Sequence, residues 1–341
     1  MPAVTVEDTL VLPRVPRSDP TFSVPRPVTR VVKAGNTMEG AGFPVRRAFP
    51  GLVPLVDVDP FLLLDHVGPA TAAPGESKGA PWHPHRGFET VTYVLDGGVA
   101  HEDSTGGGGV IGEGETQWMT AGSGIQHDER PSDDHFRLGG PTHAVQLWVN
   151  LPPALKMTPP RYQAIDRDAV VLLTSHDGGA LIRLIAGELA GFEGPGATHT
   201  PITYSHITLA AGARLELPWD RHANALIYTL TGRGSVGPDE RPIDDGHLAM
   251  FGDGDHVVVR ASDTGPLDLL LIGGRPIKAP IVHHGPFVMN TKAEIRQAIE
   301  DYRSGRLGQI PAHQLSPNAR PRPDTSSGVT SPSRNDSEGA S

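Results

Sequence analysis

The sequence contains no cysteine among its 341 residues. This absence excludes disulfide bonds, thiolate nucleophiles, zinc fingers and iron–sulfur clusters. Any metal chemistry must therefore rely on histidine, carboxylate and backbone oxygen ligands. A chain without cysteine also fits a cytoplasmic location, which we expect for this protein.

Long apolar runs and an excess of positive charge are absent as well. No run approaches the roughly 18–20 apolar residues that span a bilayer, and the N-terminus lacks a charged segment followed by an apolar one. Acidic residues outnumber basic ones by 39 to 29, for a formal net charge of −10. This balance disfavours a general electrostatic attraction to nucleic acid or anionic lipid. We expect no direct nucleic-acid partner and no membrane partner.

Segments with helical periodicity are few, whereas turn-forming residues are abundant, with 41 Gly and 34 Pro. Short apolar runs separated by Gly pairs predict many strands joined by tight turns, and hence an all-β protein. The pattern of the first half returns in the second, where "YTLTGRGSVGPD" (228–239) resembles "YVLDGGVAHEDS" (93–104). Two tandem copies of one β-barrel account for this repeat.

Composition also indicates the domain organisation. We predict an N-terminal arm over 1–27, a first barrel with the candidate site over 28–152, a connector over 153–165, a second barrel with a helix over 166–308, and a disordered tail over 309–341. The arm is expected to lie along the first domain or to be partly loose. The helix is expected near 290–308, where Thr291 and Glu294 form a capping box and Gly305 supplies a stop.

Two histidines one residue apart occur in "PWHPHRGFET" (81–90). Residues two apart in a strand point to the same side, so His83, His85 and Glu89 are expected to share a face. The later stretch "GSGIQHDE" repeats this spacing with His127 and Glu129. If both strands belong to one small barrel, imidazoles and a carboxylate converge on its interior.

These side chains predict a metal site. A lone histidine is more often hydrogen-bonded to backbone than bound to metal, but H-x-H followed by H-x-E on Gly-flanked strands is far more specific. Imidazole plus carboxylate suits Fe(II), Mn, Co, Ni or Zn. The carboxylate ligand is either Glu89 or Glu129, since both have the expected parity and the spacing alone does not decide.

Other motifs predict less. The second half offers His222 and His247 without an H-x-H, so we expect no metal there. The segment "STGGGG" (104–109) lacks the Lys and Ser/Thr of a phosphate-binding loop and is interpreted as a hairpin loop. The residues "HED" (101–103) are assigned to a solvated turn beyond the site strand.

The chain resembles the pirin family of the cupin superfamily. The resemblance rests on "PWHPHRGFETVTYVLDGGVAHEDS", "GETQWMTAGSGIQHDE", "AVQLWVNLP" and "HGPFVMNT", and it extends from about residue 28 to 305. It implies a bicupin fold, with two tandem double-stranded β-helix barrels, and places the metal ligands on His83, His85, His127 and Glu129. General cupins would instead draw the carboxylate from Glu89; we follow the more similar family.

The resemblance also implies a function. Pirins and related cupins include quercetin 2,3-dioxygenases, so we expect one divalent metal ion, Fe(II) before Mn, Co, Ni or Zn, and a flavonol or another enolic aromatic as substrate. In that mechanism Glu129 is both a ligand and the base that takes the proton of the flavonol 3-hydroxyl. Other pirins act as transcriptional coregulators or as modulators of metabolic enzymes, which implies as an alternative a metal- or redox-responsive binding protein with a regulatory protein partner.

Overall fold

The computed structural model describes residues 4–19 and 21–311, and most of the regular structure in them is β-strand. The prediction of an all-β chain with two tandem barrels and a short C-terminal helix is confirmed. Each barrel combines a seven-stranded sheet, called here the large sheet, with a four-stranded small sheet. From residue 312 onward the predicted tail lies outside the described residues.

The first barrel contains the predicted site. In spatial order, its large sheet consists of Arg161–Ile165, Thr116–Thr120, Phe88–Asp96, Gly140–Asn150, Phe61–Ala72, Phe43–Phe49 and Gly35–Glu39. Its small sheet consists of Ala80–His85, Ile125–Pro131, Val99–Asp103 and Gly108–Ile111. All of these neighbouring strands are antiparallel, as expected where tight turns join short strands.

The second barrel repeats this plan. Its large sheet consists of Val28–Lys33, His247–Phe251, Leu226–Thr231, Leu267–Gly274, Ile202–Leu209, Ala180–Ala186 and Val171–Thr174. Its small sheet consists of Arg214–Pro218, His256–Ala261, Gly234–Val236 and Arg241–Ile243. Two short hairpins, Glu188–Leu189 with Phe192–Glu193 and Val282–His284 with Phe287–Met289, complete the strands.

The two large sheets pack against each other through one apolar cluster. Tyr93 and Leu147 of the first sheet belong to this cluster together with Tyr228 and Leu270 of the second. A separate apolar cluster fills the interior of the second barrel, between its large and small sheets. Burying these two layers supplies the main driving force for folding, because apolar burial stabilises by about 25 cal/mol per Å².

Each large sheet is completed by a strand from the segment that precedes the other barrel. Val28–Lys33 pairs with His247–Phe251 in the second barrel, although it precedes the first barrel in sequence. Arg161–Ile165, which follows the first barrel, returns to pair with Thr116–Thr120. This strand exchange joins the two barrels through backbone hydrogen bonds as well as side-chain packing.

The described part of the N-terminal arm lies along the second barrel, whereas we expected the arm to lie along the first domain or to be partly loose. The Val15 amide donates to the Thr174 carbonyl at 2.8 Å, and Pro25 forms a bridge with His256. Val15 is buried in the apolar cluster of the second barrel. Two buried valines, Val4 and Val15, in a Pro-rich segment without a sustained period gave too little signal to choose between barrels.

The C-terminal helix is Lys292–Arg303, and its capping box between Thr291 and Glu294 is present as predicted. Ile295 and Ala298 are buried against the hairpin that contains Phe287. A second helix, Asp133–Leu138, was not predicted; Ser132 caps it. The short helix lies in the segment that joins the small sheet to the large sheet.

None of the helices in the described part of the chain is long and apolar enough to cross a bilayer.

Candidate metal centre

Three imidazoles meet in the interior of the first barrel. His83 and His85 lie on the strand Ala80–His85, and His127 lies on the neighbouring strand, directly opposite His83 in the antiparallel register. One ring nitrogen from each of the three lies within 4.8 Å of the others. The structure therefore brings together all three histidines of the two sequence motifs.

The hydrogen bonds of these rings leave one nitrogen of each available. Nδ1 of His83 donates to the Pro81 carbonyl at 2.8 Å, and Nδ1 of His85 lies 3.4 Å from the Pro286 carbonyl. Nδ1 of His127 lies 3.2 Å from Nδ1 of His101, while its Nε2 is buried without a hydrogen-bond partner. A buried, unpartnered imidazole nitrogen beside two others is what a divalent metal ion would satisfy, so the residues fit a metal.

Burial keeps two of the three rings, His85 and His127, uncharged. Burial lowers the pKa of His85 well below its ordinary value, and the neighbouring His83 lowers it further. The pKa of His127 is lowered for the same reasons, by burial first and then by the surrounding imidazoles. Neutral imidazole is the form that binds metals, so His85 and His127 can accept a cation without first losing a proton.

Glu129 lies at the edge of this cluster. Its carboxylate and one nitrogen each of His101 and His127 lie within 4.8 Å of one another. Three side chains donate to the carboxylate: Gln117 at 2.6 Å and Thr92 at 3.1 Å to Oε1, and Gln146 at 2.9 Å to Oε2. These donors come from three adjacent strands of the large sheet and fix the orientation of the carboxylate.

Glu89 lies elsewhere, and the expectation that it shares a face with His83 and His85 is wrong. The strand Ala80–His85 ends before Gly87, which has a φ of +91° and where a Cβ would collide with the Val288 carbonyl. The next strand belongs to the other sheet, so the alternation of side chains along Ala80–His85 does not extend to Glu89. Glu89 instead accepts hydrogen bonds from Thr120 at 2.7 Å and Thr198 at 2.9 Å.

We expected residues 101–103 to be solvated, but two of the three are not. His101 and Asp103 are buried, and the ring of His101 stacks on Tyr162 with centroids 4.9 Å apart. Nε2 of His101 lies 3.5 Å from Asp103 Oδ2. Sequence reasoning therefore missed His101, Gln146 and Trp148. The signal that could have identified His101 is its spacing from Asp103, which places both residues on the same face of one strand.

A cavity of about 1220 Å³ opens beside the histidines. Its wall includes His83, His85 and Glu129, the apolar ring of Trp148, and Pro286 of the C-terminal hairpin. Sites for drug-sized molecules usually occupy about 300–1,000 Å³. The cavity can therefore hold a three-ring aromatic molecule with one end at the histidines.

The second barrel has no such arrangement within the described residues. Its interior is filled by apolar side chains, among them Leu184, Ile227 and Leu271. His247 is engaged in its own turn, where Nδ1 contacts the Asp244 backbone at 2.8 and 2.9 Å. Both candidate metal clusters of the described chain lie in the first barrel.

Comparison with known proteins gives consistent matches. A family model described as Pirin matches residues 42–149, and one described as Pirin C-terminal cupin domain matches residues 204–308. Human pirin is 41% identical over 284 residues, 82% of this chain and 93% of the relative. A Pseudomonas aeruginosa protein provisionally named a quercetin 2,3-dioxygenase is 42% identical over 275 residues, 80% of this chain and 94% of the relative.

The fold comparison agrees. The crystal structure of quercetin 2,3-dioxygenase from Acinetobacter baumannii superposes with a TM-score of 0.79 at 37% sequence identity. The superposition covers 84% of this chain and 100% of that chain. The architecture is thus that of a bicupin.

Proposed function

The chain belongs to the pirin family, and from this premise we propose that it is a metal-dependent oxygenase of the quercetin 2,3-dioxygenase type. It would cleave flavonols or related enolic aromatics with O₂ at one mononuclear site. The observation that carries this proposal is the cluster of three imidazoles at the wall of a cavity large enough for three rings. The names of the Pseudomonas and Acinetobacter relatives support the same reaction.

We assign His83, His85, His127 and Glu129 as the residues that hold the metal ion, with Fe(II) as the preferred occupant and Mn, Co, Ni or Zn as alternatives. Three imidazoles and one carboxylate are a donor set that these ions accept. When bound, the ion would supply Lewis acidity toward the substrate hydroxyl and the redox chemistry that O₂ requires.

Glu129 is assigned a second role as the base. Its carboxylate faces the cavity and would accept the proton of the flavonol 3-hydroxyl, which leaves the substrate as the electron-rich enolate. Gln117, Thr92 and Gln146 hold the carboxylate in one orientation. This preorganisation avoids a rearrangement at the moment of proton transfer.

Aromatic side chains would hold the rings of the substrate. Trp148 lines the cavity, and its ring packs on Phe88 and on His85 with centroids 4.4 and 5.1 Å apart. Its Nε1 donates to Gln146 at 3.2 Å, which fixes the indole plane. A fixed indole beside the imidazoles offers an apolar surface for a flat ligand and excludes water from it.

The test uses protein purified without O₂ and loaded with Fe(II). Quercetin is expected to perturb the spectrum of the metal anaerobically and to lose its absorbance when O₂ is admitted, while His127→Ala does neither. If anaerobic quercetin leaves the spectrum unchanged and no O₂ is consumed, the oxygenase proposal fails for flavonols. The regulatory alternative would then be examined by capturing partner proteins with the iron held in each oxidation state.

A further inference from the structure

A row of polar side chains crosses five strands of the first large sheet. Gln117 is paired with Thr92, Thr92 with Gln146, Gln146 with Asp65, and Asp65 with Arg47. Directly paired residues in an antiparallel sheet point to the same face. The first three members hold the Glu129 carboxylate, whereas the hydrogen bonds of Asp65 and Arg47 do not reach it.

The corresponding row of the second barrel shows which side chains the fold itself requires at these five positions. The same pairings there join Ala249, Ile227, Leu271, Ser205 and Leu184. Four of these five are apolar, and all but Ser205 belong to the cluster that fills the barrel. The architecture is therefore built equally well with Leu where the first barrel has Arg47 and Ser where it has Asp65.

The ion pair at the far end of the row is partly buried, with 24% of the Arg47 side chain and 7% of the Asp65 side chain exposed. Arg47 donates to both oxygens of Asp65, at 2.8 and 2.6 Å, and also to Glu39 at 2.5 Å. Asp65 is buried, and burial raises the pKa of its carboxyl while Arg47 opposes this shift. Ion pairs contribute little net stability at the surface, and buried ones little compared with apolar residues of similar size, so stability does not account for this pair.

The pair lines the same cavity as the histidines. Asp65, Arg47 and Glu39 belong to its wall, together with Gln146 and Glu129. Arg47 uses Nε and Nη2 for its carboxylate partners, and its Nη1 makes no hydrogen bond to any residue that the structure describes. Strands lie about 4.8 Å apart, so Arg47, two strands beyond Gln146, is about 10 Å from it along the row.

We propose that Arg47 and Asp65, with Glu39, form a second binding subsite for vicinal hydroxyl groups at the end of an aromatic ligand remote from the metal. One hydroxyl would donate its hydrogen to the carboxylate of Asp65 or Glu39, and the neighbouring oxygen would accept from Nη1 of Arg47. This inference rests on the proposed function and specifies its substrate class as catechol-bearing flavonols. The subsite would select substrates by their terminal ring, independently of the 3-hydroxyl that the metal recognises.

The experiment compares two flavonols that share the 3-hydroxyl. Quercetin carries vicinal hydroxyls on its terminal ring, and galangin has none. Binding to the Fe(II)-loaded protein is measured without O₂ by titration of the metal spectrum. Wild-type protein is expected to prefer quercetin by about tenfold or more, because galangin lacks the hydroxyls that would form hydrogen bonds with these charged groups.

The informative variant is R47L/D65S, which installs the residues of the second barrel. It is expected to retain its Fe(II) and its galangin affinity while losing most of the preference for quercetin. Asp65→Asn, which preserves side-chain volume, serves as a second variant should the double one fold poorly, and it is expected to reduce the preference severalfold. The control R260L/D263S removes an exposed Arg–Asp pair of the second barrel, 3.0 Å apart, and should leave the preference unchanged.

Two results would overturn the subsite, and they differ from failure of the proposed function. If wild-type protein binds both flavonols equally, or if R47L/D65S or Asp65→Asn keeps the full preference, the subsite is wrong and the oxygenase proposal stands. If wild-type protein binds neither flavonol, the proposed substrate class fails and the subsite inference with it.

Discussion

Nδ1 of His101 and Nδ1 of His127 lie 3.2 Å apart in the interior of the first barrel. One of the two nitrogens must carry the hydrogen, and Asp103 beside Nε2 of His101 favours the arrangement in which Nδ1 of His127 donates. The lone pair of His127 is then on Nε2, the nitrogen without a partner. His101 is thus a positioning residue that sets the tautomer and ring orientation of a candidate ligand.

Replacing His101 by Leu should therefore weaken metal binding by about 10–100-fold, the range for partners of metal-bound histidines. The measurement is a competitive titration of Co(II) or Fe(II) against a chelator. Tyr162→Phe is the matched control, because it keeps the ring that stacks on His101 and removes a buried hydroxyl without a hydrogen-bond partner. Wild-type affinity in His101→Leu would contradict the positioning role.

His83→Ala and His127→Ala should each remove most of the bound metal and leave a folded protein, because the apolar clusters that hold the barrels together do not include these residues. Elemental analysis gives the metal content, and circular dichroism gives the fold. His176→Ala, at an exposed position of the second barrel, should retain one ion per chain. Full occupancy in either site variant would show that the ion lies elsewhere.

Substitution of Glu129 and of Glu89 should have different effects on metal binding. Glu129→Gln is expected to weaken metal binding and abolish turnover of quercetin, since it removes the charge at the cluster and the proposed base. Glu89→Gln should keep the metal, because Glu89 faces away and is held by Thr120 and Thr198. Elemental analysis of both variants decides, and the reverse order would favour the general cupin ligand set over our assignment.

Stability should fall in mild acid because histidines are buried uncharged. Burial lowers the pKa of His206 to about 4, although Asp268 partly opposes the shift. Between pH 6.5 and 4 the unfolded chain binds a proton at this ring and the folded chain does not. The free energy of unfolding therefore decreases by about 1.4 kcal/mol per pH unit from this residue as the pH falls through that window.

His206→Gln tests this effect away from the candidate site. A Gln side chain can still bond to the Tyr93 hydroxyl, which lies 2.9 Å from Nδ1 of His206, but it does not titrate. Urea unfolding at pH 7 and at pH 5 should show a smaller loss of stability in the variant than in the wild type. If the wild type and the variant lose the same amount of stability, His206 has an ordinary pKa in the folded protein and the prediction is wrong.

Local patterns sufficed for the strands and for the capped helix, because alternation and capping depend on neighbouring residues. The paired H-x-H and H-x-E motifs also predicted that His83, His85 and His127 lie close together, and the structure places them so. Parity failed for Glu89 because it assumed an unbroken strand, whereas Gly87 lies between two strands of different sheets. A glycine in a strand pattern is a warning of such a break.

Long-range pairing could not be predicted in the same way. Nothing within Val28–Lys33 indicates that its partner lies more than two hundred residues away, since strand pairing depends on matched edges and not on local composition. His101 was missed for a related reason. Its partner Tyr162 comes from the connector segment, which returns to the first barrel only in three dimensions.

Each barrel is completed by a strand from outside its own half of the chain, so neither half is an independent domain. A fragment that stops near residue 152 lacks Arg161–Ile165 and leaves the edge of Thr116–Thr120 open. A fragment that starts after the first barrel lacks Val28–Lys33 and opens the edge of His247–Phe251. Open edges recruit strands from other chains and lead to aggregation. Recombination therefore has to transfer the two barrels of such a protein as a pair.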